Sequence, residues 1–100
     1  MNVYWTKLAE ITYFEIIQNL MDRWSLKEVI EFKEKTTTLI KYLEKGIINC
    51  AHDKTLNINK CIIHKNVSLY YREDKKLNKI FLIVFYQNRM NPKTVLKFLK

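Results

Sequence analysis

Residues able to do chemistry gather in the second half of the chain. His64 and Lys65 stand just before a turn, Ser68, Tyr70 and Arg72 alternate along the next segment, and Arg89 follows the last apolar run. In an extended segment alternate residues share a face, so Ser68, Tyr70 and Arg72 line up on one side. With Lys60 nearby, these side chains suit a cationic patch with a titratable imidazole. In such a patch His64 would take a proton and Tyr70 or Tyr71 would give one. Tyr70 and Tyr71 point to opposite faces, so at least one is expected in the core with its hydroxyl at the edge. Arg89, after a strand and before a helix start, suits anion binding or a salt bridge to a helix carboxylate.

Cys50, His52, Cys61 and His64 raise the question of zinc, because Cys-x-His and Cys-x-x-His are ligand types in plausible spacing. On one regular strand, however, Cys61 and His64 are three residues apart and project to opposite faces. No metal site and no cofactor is therefore expected, and both cysteines read as small buried hydrophobes with free thiols.

The chain has 100 residues, room for one domain spanning 1–100. Apolar types make up 48% and charged types 28%, the balance of a folded soluble domain. Gly46 and Pro92 are the only residues of their kinds, which excludes every glycine-loop phosphate chemistry. Residues 1–50 carry seven basic and seven acidic side chains; residues 51–100 carry eleven and three, and hence the whole net charge of +8. A polyanionic partner for the second half is the functional implication, and a solvated lysine-rich surface is the plain one. Met1 to Lys7 has no basic start followed by an apolar run, so no signal peptide is expected. The longest apolar stretch, Ile80 to Tyr86, is too short to cross a bilayer as a helix. A cytoplasmic, reducing location is the expectation.

These residues need elements to position them. Met1 to Trp5 reads as an opening strand. Thr6 caps a helix to about Met21, with Ala9, Tyr13, Ile16, Ile17, Leu20 and Trp24 on one stripe. Phe14, Met21 and Ile11 lie outside that stripe. Ser25 to Glu28 has the form of a capping box, opening a helix to about Lys45 with Val29, Phe32, Thr36, Leu39, Ile40, Leu43 and Ile47 on its apolar face. Gly46 stands where that helix would end. Asn49 to Asn59 is polar and loop-like. Strands are expected at Lys60–His64, Val67–Arg72 and Lys79–Gln87, the last apolar on both faces and so central. Asn91-Pro92 restarts a helix. The order β-αα-βββ-α is an α+β fold, a helical hairpin packed on a four-stranded, mainly antiparallel sheet.

This order, in about 100 basic residues, resembles the RelE/ParE superfamily of toxins from type II toxin–antitoxin modules. Val3-Tyr-Trp-Thr6 with Ala9 resembles the family's opening strand and first helical turn, and Trp24-Ser25 through Phe32 its second-helix start. His64-Lys-Asn-Val-Ser-Leu-Tyr-Tyr71 resembles the penultimate-strand segment. Phe85-Tyr-Gln-Asn-Arg-Met-Asn-Pro92, which contains Asn88 and Arg89, resembles the last-strand segment. The resemblance implies a small cytoplasmic toxin of the plasmid-stabilization kind, neutralised by a cognate antitoxin. RelE-like members cut mRNA on the ribosome without a metal; ParE-like members poison DNA gyrase. The family nucleases typically carry a penultimate-strand Arg, an Arg after the last strand and a C-terminal Tyr. Arg89 matches the second, but Ser68 and Val95 fall where the others would be. The expectation is therefore growth inhibition by binding an essential target, gyrase by analogy, with Lys60, Lys65, Ser68, Tyr70, Arg72 and Asn88 as target-binding residues. The alternative is an endoribonuclease using Arg89, His64 and Tyr71. A second alternative is an inactive member that serves as an antitoxin-binding partner.

Overall fold

The opening strand β1, Asn2–Trp5, ends at a threonine that does two jobs. Thr6 Oγ1 accepts the Ala9 N–H at 3.1 Å, capping α1 (Lys7–Arg23), and donates to the Leu82 carbonyl at 2.7 Å. The computed structural model describes residues 1–23, 25–48, 50–64 and 67–87. Trp24, Lys65, Asn66, Asn88, Arg89, Val95 and the helix expected from Asn91 lie outside the described residues.

Helix α1 buries Ala9, Ile16, Ile17 and Leu20 as the periodicity requires, and Thr12 besides. Helix α2, Leu26–Lys45, buries Val29, Phe32, Thr36, Leu39 and Leu43. Ile47, counted on that stripe, is 67% exposed because the helix has already ended. Gly46 stops it with φ 69°, a left-handed conformation that other L-residues adopt at a cost. The Ile47 N–H reaches the Tyr42 carbonyl and the Gly46 N–H reaches Leu43, the paired bonds of a Schellman end. The expected capping box is not formed. Ser25 sits at the N-cap position, but its hydroxyl makes no capping bond; its backbone carbonyl takes the Glu28 N–H at 3.0 Å.

Four more strands follow: β2 (Ala51–Asp53), β3 (Ile58–His64), β4 (Val67–Asp74) and β5 (Lys79–Gln87). The sheet order is β1-β5-β4-β3-β2, with β1 parallel to β5 and every other pair antiparallel. The α+β architecture stands as expected, with one strand more: the polar stretch read as a loop contains β2 and the start of β3. The β2–β3 and β4–β5 turns use the same Asp-Lys-x-Leu-Asn pattern. In Asp53-Lys-Thr-Leu-Asn57 and Asp74-Lys-Lys-Leu-Asn78 the aspartate Oδ1 accepts the leucine N–H, at 3.2 and 3.1 Å. The asparagine then closes each turn at positive φ, 51° and 56°.

Two register shifts decide which side chains face the helices. On β5, Tyr70 pairs with Val84 but Tyr71 with Leu82, so Ile83 is an extra residue. Leu82 and Phe85 therefore both join the helix-side core, while Val84 and Tyr86 join a smaller cluster with Ile58. On β3 the shift falls between Ile62 and His64. Thr12 completes β5 past the end of β1: its Oγ1 accepts the Phe85 N–H at 3.0 Å and donates to the Leu8 carbonyl at 2.7 Å. Thr12→Val keeps the shape but leaves that buried N–H without an acceptor. It is expected to cost about 1–3 kcal/mol in urea unfolding, whereas Thr37→Val, on the exposed side of α2, is expected to change little. A Thr12→Val loss no larger than that control would show that the Thr12 hydroxyl is dispensable.

Candidate functional site

Ser68, Tyr70 and Arg72 alternate along β4 on the face away from the helices, as their spacing requires. On that face the Lys60 ammonium lies 5.8 Å from the Tyr70 ring centroid, and Tyr70 meets Tyr86 edge-on at 6.2 Å. Arg72 Nη2 donates to the Leu56 carbonyl in the β2–β3 turn at 3.4 Å. The hairpin and the β3–β4 surface enclose a cleft of about 480 Å³ lined by Ala51, Asp53, Lys54, Ile58, Lys60 and Tyr70, among others. Further along, Lys79 stands 5.1 Å over Tyr4, which stacks on Phe81 at 5.9 Å. Lys60, Arg72 and Lys79, with Lys54 at the cleft, thus line one surface, which suits an anionic partner. Ser68 is buried and holds no charge there.

The acid–base pair expected to work with this patch is placed elsewhere. Tyr71 is 1% exposed and belongs to the helix-side core. Burial pushes its phenol above the ordinary value of 10.0; a hydrogen bond with the Cys50 backbone opposes this, and the Glu73 carboxylate adds to it. Of the two tyrosines, Tyr71 is the core member and Tyr70 the surface one. The folded chain holds the Tyr71 proton more tightly than the unfolded chain does. Its contribution to stability is intact below pH 10.0 and is lost as pH rises through the raised folded value. Above pH 10.0 wild-type stability is expected to fall more steeply than that of Tyr71→Phe, measured by urea unfolding across the alkaline range. Parallel slopes would show that Tyr71 does not titrate on unfolding.

His64 is 7% exposed. The register shift places it opposite Val67, a residue of the helix-side core, not on the face opposite Cys61 as a regular strand would. The expected free thiols are also corrected: Cys50 and Cys61 form a disulfide, with Cα atoms 5.1 Å apart. Ala51 pairs with Lys60, so the antiparallel register brings the preceding Cys50 opposite Cys61. His52 Nδ1 instead meets Asn59 Oδ1 at 2.6 Å. Among the described residues no group of three His, Cys, Asp or Glu side chains could hold a metal ion.

The β2–β3 hairpin wall of the cleft went unforeseen in the sequence, though the repeated Asp-Lys-x-Leu-Asn string marks its turn. The helical hairpin on a mixed sheet with β1 beside β5 is an α+β fold shared with solved structures of toxin–antitoxin proteins. One similar solved structure is a chain of the chromosomal ParDE TA system from P. aeruginosa, at 11% identity and TM-score 0.69, covering 87% of this chain and 95% of that one. Another is a copper-bound mutant toxin from Helicobacter pylori, at 14% identity and TM-score 0.64, covering 89% and 96%. No protein-family model and no curated protein sequence matches the chain. Among the described residues no helix is long and apolar enough to cross a membrane.

Proposed function

We propose that this chain is the toxin of a type II toxin–antitoxin module, acting in the cytoplasm and neutralised by a cognate antitoxin. It inhibits growth by binding an essential target, DNA gyrase by analogy with ParE. The likeness of fold to a ParDE component and to a Helicobacter pylori toxin supports the toxin reading. The observation that carries binding over cutting is the position of Tyr71. A phenol sealed in the helix-side core cannot protonate a leaving oxygen on the open face where Lys60, Tyr70 and Arg72 meet. Those three residues, with Lys65, Asn88 and Arg89 from the sequence resemblance, are the proposed target-binding set. The shared face of Lys60, Tyr70 and Arg72 favours one second reading, RelE-like cleavage of mRNA by a rearranged site around Arg89.

Expression of the chain alone is expected to arrest growth with induction of the DNA-damage response, and purified chain to inhibit gyrase supercoiling. Co-expression of the product of an adjacent short gene is expected to restore growth. Cuts in translated message, mapped by primer extension, with gyrase unaffected would replace the first reading with the second. Absence of any growth defect would overturn both and leave an inactive antitoxin-binding member.

A further inference from the structure

We propose that the Cys50–Cys61 disulfide is a redox latch that holds the β2 hairpin in place as one wall of the cleft. This deepens the proposed function, since it assigns regulation to the same target-binding face.

Besides the disulfide, the hairpin is held by short backbone pairing, the exposed His52–Asn59 hydrogen bond and the partial burial of Leu56. All three residues of β2 are exposed, and β2 sits at the sheet edge with β3 as its one strand neighbour. Three register pairs, from Ala51–Lys60 to Asp53–Ile58, join it to β3. An edge strand whose own side chains are all exposed opens at low free energy, and the partly buried Leu56 of the turn is the apolar contact that opening gives up. Cys61 is different: it is 4% exposed and packed in the helix-side core, on a strand also bonded to β4. The disulfide therefore ties the loose strand to a fixed point, across a sequence separation of 11 residues that encloses the whole hairpin turn.

That turn reaches the candidate site. Ala51, Asp53, Lys54 and Leu56 line the cleft beside Lys60 and Tyr70, and the Leu56 carbonyl accepts from Arg72. With the latch closed, the wall is preformed. A dithiol reductant opens it by exchange: its two thiols become a disulfide, and two electrons and two protons pass to Cys50 and Cys61. β3 stays paired to β4, while β2 and the 54–57 turn come away, and Arg72 loses the Leu56 carbonyl. In a reducing compartment the wall is open; under oxidation it closes.

The test is amide hydrogen exchange on the full chain, oxidised and after reduction by a phosphine, with Cys50→Ser/Cys61→Ser as a permanently open form. Exchange over residues 51–57 is expected to quicken at least roughly tenfold on reduction and to stay faster than that of the α1, α2 and β5 core, whose amides quicken only by the loss of global stability. The double variant should match the reduced chain, and circular dichroism should show both folded. Equal exchange at 51–57 in the two redox states would overturn the latch. So would two alkylatable thiols persisting after treatment with oxidised glutathione. Should the double variant fail to fold, the comparison within wild type decides. Growth arrest by the chain is measured in parallel: its absence in both redox states would sink the proposed function, while the exchange difference would still establish the latch.

Discussion

Phe85→Ala is expected to cost about 3–5 kcal/mol and to lower Tm by roughly 12–40 °C. Phe85 of β5 is fully buried, and its ring meets β1 and α1 directly and α2 through Tyr13. It stacks on Trp5 of β1 at 5.3 Å and lies 5.1 Å from Tyr13 of α1, which in turn lies 5.5 Å from Phe32 of α2. Removing the ring leaves a cavity whose walls belong to different elements and cannot all collapse inward together. A domain of this size has total stability of about 5–15 kcal/mol, so the loss is a large share of it. Urea unfolding with an unchanged m-value would measure it. A loss below about 1.5 kcal/mol would show that the aromatic box repacks. Phe85→Leu, which refills most of the volume, is expected to recover more than half.

Reduction of the Cys50–Cys61 disulfide is expected to cost about 3 kcal/mol of global stability, the chain-entropy value for a loop of this length. The corresponding fall in Tm is roughly 12–24 °C. This effect acts on the unfolded ensemble, which gains freedom when the loop opens. It is separate from the local release of β2, which acts on the folded state and is read by exchange at 51–57. Thermal unfolding with and without reductant at fixed pH measures the global term. A difference below about 1 kcal/mol would mean that native strain or residual unfolded structure offsets the loop entropy.

The repeated hairpin shows how far local signals reach. Asp74 to Asn78 was legible as a turn because an apolar strand follows it. The same pattern at Asp53 to Asn57 stood among polar residues, where no period of two announced a strand. Once the second turn is known, the first can be inferred from it, and with it the edge strand and the opposed cysteines. Ser25 teaches the reverse lesson. Its sequence context matches a capping box, yet the backbone carbonyl carries the bonds and the hydroxyl does not.

Thr6 as a cap, the buried stripes of both helices, the left-handed stop at Gly46 and the three long strands follow from the sequence by itself. Each depends on residues within a few positions of one another, where periodicity and backbone preference act directly. Which chemistry-bearing residues meet was decided by the tertiary structure alone. One extra residue in β3 and one in β5 reverse the facing of everything beyond them, and no local pattern sets that parity. Tyr71 was sealed away from the cationic face because its position on β4 turns it into the helix-side core. Cys50 met Cys61 because an antiparallel ladder brings distant positions opposite each other, a pairing that exists only once the strands have docked.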